Sequence, residues 1–314
     1  MGEGPTAGWV TPSAPAAPVP RSSVDLVGAP ASASARTRDP RPEVVPLRPL
    51  GLSDVLDGAL ATVRRNPAAT VVPAAAGAGV VSLVSLVVAL ALRGPSTQVT
   101  TATAGFLQTL VSGWLRATLT LLVTAPVAVV VGRAVLGERT SLAAAATAVR
   151  SRLRPLCVVV VLQLVVSIAG LLTLGAVTVW LWVAWGFAVP VAMLEPGARG
   201  RSSLARSRVL VRGRWWATFG VLGLALLITT VVGAVISVPV TLVVSGGSAL
   251  SGASVDTSST ALAVTALAST LILALTLPFT AAVTALLYVD RRMRVEGLDV
   301  ALALAAAGAP RVPR

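Results

Sequence analysis

Long apolar runs alternate with short Arg-rich segments along this chain, and the length of each run limits what it can be. A helix needs about 20 apolar residues to cross a ~30 Å hydrocarbon core. Six runs reach that length, at 70–92, 117–136, 156–174, 176–195, 217–240 and 262–288. The third and fourth come from one stretch that begins at Leu156 and is too long for a single helix. Gly170 and Gly175 mark the expected turn between them. Backbone in hydrocarbon must satisfy its own hydrogen bonds, so continuous apolar runs predict helices. Barrel strands would alternate apolar and polar positions, and no such alternation is present. The expected fold class is all-α: a polytopic membrane protein of about six transmembrane helices with short amphipathic helices on the cytoplasmic side.

The flanks divide the chain. Residues 1–45 are rich in Pro, Ala, Ser and Gly and hold no long apolar run, which predicts a disordered cytoplasmic tail rather than a signal peptide. Residues 46–300 form the expected membrane domain, and 301–314 a short C-terminal tail. Composition agrees: of 314 residues 55% are hydrophobic and 12% charged, about half the charged share of a soluble domain.

The net charge is +13, and every basic residue is Arg. Each positive charge is therefore permanent. The arginines cluster beside apolar spans, which favours an anionic membrane surface over nucleic acid as the partner. Arg48, Arg64 and Arg65 precede the first span. Arg139, Arg150, Arg152 and Arg154 separate the second from the third. Arg199, Arg201, Arg206, Arg208, Arg212 and Arg214 separate the fourth from the fifth, and Arg291, Arg292 and Arg294 follow the sixth. The opposite loops hold only Arg93 and Arg116 at their edges. Positive charge stays inside, so both termini and all Arg-rich loops are expected in the cytoplasm, with the protein in the plasma membrane. Trp114, Trp180 and Trp182 then fall near the outer boundary, and Trp215 and Trp216 near the inner one.

A threefold pattern underlies the spans. Each unit opens with a short cytoplasmic helix, then a basic doublet, then an outward and a return span. The doublets lie at Arg64-Arg65, Arg152-Leu153-Arg154 and Arg212-Gly213-Arg214. The return spans carry Pro126, Pro190 and Pro278, and Glu138 and Asp290 each follow a proline by twelve positions. An internal repeat fits this pattern, and so does topology alone, which selects a basic helix before every outward span.

The first short helix reads Leu52 to Arg65. Ser53 is placed to cap it, with Asp54 and Asp57 at the positive end and Arg64 and Arg65 at the negative end. Leu52, Val55, Leu56, Ala59, Leu60 and Val63 make one apolar stripe, which predicts a helix lying in the inner interface. The segment from Ser202 to Arg214 is expected to behave alike. The acids and arginines of these segments share one membrane face. Asp54, Asp57, Glu195, Asp290 and Glu296 are therefore expected to meet Arg208, Arg212, Arg291 and Arg294 in one cytoplasmic cluster, beside Arg64 and Arg65. Such a cluster is more often structural than a ligand site.

Three strings also carry a family resemblance. They are Val45 to Ala59; Glu195 followed by Ser207 to Gly213 and Trp216; and Tyr288 to Asp299. In order, they resemble an actinobacterial membrane-protein family named after the membrane domain of glycerophosphoryl diester phosphodiesterases. The resemblance covers about residues 45 to 300. It implies a membrane domain. It does not carry the phosphodiesterase activity, because the family's catalytic domain is a TIM barrel using His and acids around a metal. This chain has no His and no strand–helix alternation.

Candidate chemistry is correspondingly thin. Without His or Lys there is no nucleophilic triad and no phosphate-binding P-loop lysine. The single Cys157, in an apolar run, offers neither a disulfide nor a metal site. No cofactor is called for, and no enzyme is expected. The acids lie outside the spans apart from Glu195 at a boundary, and Gln163 is the one amide inside a span. The expected function is a non-catalytic membrane module, a scaffold or accessory subunit in envelope or lipid-linked processes, bound to anionic headgroups and to a membrane-protein partner. The alternatives are a transporter or lipid-handling carrier, and the membrane part of a glycerophosphodiester phosphodiesterase system. A continuous polar cavity at mid-membrane would favour the carrier; a solid apolar bundle would favour the scaffold.

Overall fold

The structure, a computed structural model, describes residues 50–92, 101–135, 138–171, 176–244 and 258–296. The tails expected at 1–45 and 301–314 lie outside the described residues. The described elements are helices: α1 (Leu52–Arg65), α2 (Pro67–Ala91), α3 (Thr101–Ala134), α4 (Leu142–Ser151), α5 (Leu153–Leu171), α6 (Ala176–Ala184), α7 (Ala188–Leu194), α8 (Gly200–Val211), α9 (Trp215–Val244) and α10 (Ser259–Glu296). Among the described residues there is no strand. Five helical stretches are long and apolar enough to cross a membrane: Pro67–Ala91, Gly105–Ala134, Val177–Leu194, Trp215–Val244 and Ser259–Glu296. The third expected span, 156–174, corresponds to α5, whose described apolar part, Leu153–Ser167, is shorter. The fold is an all-α, polytopic membrane architecture.

Two apolar surfaces explain why these segments need hydrocarbon. Val80, Val235 and Leu267 are each more than 60% exposed, and Val243 is 82% exposed. In water such a surface would aggregate; in lipid it is solvated. Small residues sit where helices touch. A Cβ on Gly77 would run into Leu119, and one on Gly132 into Leu194, so glycine allows α2 and α7 to approach α3 closely.

The threefold pattern has a spatial counterpart. Each unit reads short helix, outward span, return span: α1–α2–α3, α4–α5–α6/α7 and α8–α9–α10. The return spans make the centre, where α3, α7 and α10 contact one another. In each of the three, 56% of the apolar window is buried, against 28% in α2 and 11% in α9. Pro126, Pro190 and Pro278, one per return span, are all buried. Each short helix packs on the preceding return span: α4 on α3, α8 on α7 and, closing the ring, α1 on α10.

Several local expectations are corrected. Gly170 lies inside α5, so the chain does not turn there; Gly175 lies outside the described residues. The fourth span is broken at Trp185–Phe187 into α6 and α7. Pro190 has no N–H to give to Gly186 one turn back, which weakens the helix at that point. The Ser207 hydroxyl of α8 repairs the break. It donates to the Ala184 carbonyl (2.8 Å) and accepts from the Phe187 N–H (3.1 Å).

Helix α6 packs on α9, where the Trp215 indole N–H donates to the Trp180 carbonyl at 3.4 Å. These two tryptophans therefore do not mark opposite boundaries. Helix α1 begins at Leu52 with Ser53 already in its first turn. The Asp54 carboxylate, not Ser53, accepts from the Gly51 N–H (3.0 Å). Its stripe divides: Val55 and Ala59 are buried toward α10, while Leu52 and Leu60 stay exposed. Helix α8 turns Ser203, Leu204, Ser207, Leu210 and Val211 into the protein, against α5 and α7 rather than lipid.

Candidate functional site

Charged side chains gather at the Arg-rich end of the bundle in two groups. Glu195, just past α7, accepts from Arg206 Nε at 3.3 Å to each oxygen and from the Tyr288 hydroxyl at 3.1 Å. Arg292 Nε lies 3.9 Å from the same carboxylate and 3.0 Å from Glu296 one turn on. Arg206 also pairs with Glu296. Two arginines and two glutamates thus alternate across α7, α8 and α10, with Arg292 lying over the Tyr288 ring. Arg152 caps the carbonyl end of α7 by donating to Ala192 (3.3 Å) and Glu195 (2.8 Å). A cation there suits the negative end of the helix.

The second group closes the ring. Asp290, 4% exposed, accepts from the Leu50 N–H (2.9 Å) and from Arg294 Nε (2.8 Å). Arg294 Nη2 donates to the Leu50 carbonyl at 2.8 Å. Both backbone groups of Leu50 are therefore held by the end of α10. Arg291, also buried, donates to the Thr218 hydroxyl (3.1 Å) instead of to an acid.

Of the expected cluster, Glu195, Glu296, Asp290 and Arg294 make ion pairs. Asp54 is spent on the start of α1. Arg208 lies over the Trp185 ring, 5.0 Å from its centroid. Asp57, Arg64 and Arg212 are exposed and form no ion pair among the described residues, and Arg65 is exposed on α1. Arg206, Arg292 and Tyr288 were not expected. The four-residue spacing of Arg292 and Glu296 was a readable signal. Arg206 borders the buried Ser203 and Leu210 of α8, a face that only packing reveals. Every carboxylate in the two groups is occupied by guanidinium, hydroxyl or backbone donors, so neither group holds a free base. Chemically they are struts.

A cavity of about 650 Å³ lies elsewhere, between α3, α5, the α6–α7 break, α9 and α10. Its size falls within the ~300–1,000 Å³ of small-molecule sites. No family model matches this chain, and no curated protein or solved structure matches it. The wall is mostly apolar, with Leu121, Val189, Leu222 and Leu273 among its residues. Hydroxyls interrupt it, among them Thr120 and Thr124 of α3, Thr229 of α9, and Thr276, Thr280 and Thr284 of α10, with Thr230, Ser237 and Ser269 beside them. Four-residue spacing puts each set on one helix face. Their protons are already committed to carbonyls of the same helix, as in Thr124 to Thr120 (2.7 Å), Thr276 to Ile272 (2.7 Å) and Thr284 to Thr280 (2.8 Å). The threonines therefore present methyl groups and lone pairs. Gln163, expected as the lone amide of a span, lines this cavity, and its Oε1 is buried without a partner. Gln163 is not alone, because the second span begins at Gly105 rather than 117 and takes in Gln108 as well. The hydroxyls of the wall show in the sequence only as scattered Thr and Ser.

Proposed function

We propose that this chain is a non-enzymatic, multi-pass lipid-handling module that holds an amphiphile between its helices. The carrying observation is the cavity of about 650 Å³. The space is partly open at the surface of the bundle, past the exposed Leu226 of α9, so an amphiphile can enter it from the surrounding hydrocarbon and restore the packing contacts that an empty groove forfeits. The mostly apolar wall, with most of its threonine protons given to carbonyls of their own helices, suits acyl chains and offers little to a hydrated ion. Ligand exchange with the bilayer fits the exposed α9, which is the least buried of the long apolar helices among the described residues.

In this reading the Arg-rich end lies in the cytoplasm, against the anionic inner leaflet of the plasma membrane, and the charge struts brace that end. The three ordered strings support grouping the chain with the membrane family named after the glycerophosphoryl diester phosphodiesterase membrane domain, with no hydrolysis carried across. The absence of His and Lys from the sequence supports a role without catalysis.

Native mass spectrometry of the purified protein tests the proposal. Bound lipid should survive exchange into a neutral detergent. Thr280→Trp, which fills the cavity, should lose that lipid while keeping a cooperative thermal transition. A wild-type protein that carries no lipid, or a filled variant that carries as much, would reject lipid handling.

A further inference from the structure

The cavity has a polar annex. A second cavity of about 170 Å³ lies between α2, α3 and α10. Both are lined by Arg116, Ser269 and Leu273, so they meet at Arg116. Arg116 is exposed and forms no ion pair among the described residues. It starts the row Arg116, Thr120, Thr124 on α3, about 25 Å along the helix from Arg133. The annex holds two polar atoms without partners. Ser82, 6% exposed, has an unbonded hydroxyl. Gln108 donates its amide to the Ser85 carbonyl (2.9 Å), which leaves its Oε1 unpaired. Orphaned buried groups of this kind cost about 1–3 kcal/mol each unless something meets them.

Resting on the lipid-handling reading, we propose that the ligand is an anionic amphiphile with a hydroxyl-bearing phosphate-ester head. The phosphate pairs with Arg116, a guanidinium being the best side-chain match for phosphate oxygens. The head's hydroxyls enter the annex, donating to Gln108 Oε1 and bonding to Ser82. The acyl chain runs along α10 from Ser269 to Thr284, about 22 Å of helix. That track presents threonine methyls and leucines, and it has no second cation along its wall. A single cation at one end of an apolar track orients an amphiphile head first.

Binding to the full chain in a neutral detergent tests this, with four probes: lysophosphatidylglycerol, monooleoylglycerol, oleate and glycerol phosphate. Lysophosphatidylglycerol should bind tightest. Arg116→Gln should weaken it by about 10- to 100-fold, the loss of one charge-assisted bond, and leave monooleoylglycerol unchanged. Gln108→Ala should weaken lysophosphatidylglycerol but not oleate. Because Arg116 is exposed, its substitution should leave the thermal transition in place. If Arg116→Gln binds lysophosphatidylglycerol as well as the wild type, the headgroup assignment fails and lipid handling stands. Oleate binding as tightly as lysophosphatidylglycerol would remove the annex from recognition. Glycerol phosphate binding equally well would mean a free phosphate ester rather than a lipid. If the wild type binds none of the three lipids, the underlying reading itself fails.

Discussion

Asp290 is the one acid at the Arg-rich end that is buried among the described residues. It is nearly fully buried and meets both Arg294 and the Leu50 N–H. Asp290→Asn should remove the charge while leaving Arg294 in place, at a cost of about 3 kcal/mol. Thermal unfolding in detergent should show a clear drop in midpoint. Arg206→Ala should cost less, about 1 kcal/mol or under, because its partners are partly solvated and Glu195 and Glu296 keep Arg292. The same melting assay ranks the two. The sequence announced Asp290 with Arg294 through their four-residue spacing. It could not announce Leu50, because a backbone N–H leaves no mark in residue type. Arg208 and Arg212 shared a face and so looked like partners for acids, but α8 turns the opposite face inward and leaves them outside.

Among the elements, the fourth span departs furthest from a plain helix. Its proline was readable, but the repair was not, since it comes from a serine on another helix. Ser207→Ala should strand the Ala184 carbonyl and the Phe187 N–H, both inside the bundle, and cost about 1–3 kcal/mol. Ser207→Thr keeps the hydroxyl and so separates loss of the bond from loss of volume. Gly200→Ala tests the contact between α8 and α5. Its Cβ would run into Val158, whose own branched Cβ cannot swing aside, and lie 3.1 Å from the Pro155 carbonyl. Overpacking of that kind costs about 1–3 kcal/mol. A lowered melting midpoint with unchanged far-UV helicity is the expected result. The apolar faces of α1 and α8 were legible from periodicity. What covers them was not, because periodicity treats lipid and protein alike as apolar surroundings.

For the whole molecule, length and arginine placement were enough to give the helices and their order, whereas the ring could not be seen. It rests on α1 meeting α10, the most distant described elements of the chain. The orientation argued from arginine is tested by a cysteine at the exposed Arg212 in a Cys157→Ser background. A membrane-impermeant thiol reagent should label it only after the cells are permeabilised. Labelling in intact cells would invert the topology. Removing residues through Arg65 should lower the melting midpoint as much as Asp290→Asn does or more, because it strips both Leu50 and α1 from the end of α10. Removing only residues 1–45 should leave the midpoint unchanged.

The bond between Leu50 and Asp290 joins positions 240 residues apart. At synthesis rates of about 5–20 residues per second, α1 emerges roughly 12–48 s before its partner exists. In that interval the face of α1 that α10 will cover, with Val55 and Ala59, has the bilayer surface and the neighbouring α2 and α3 to rest on. The first of the described helices to be made thus waits for the last, and any ribosome that stops before α10 releases a chain in which α1 lacks its main partner.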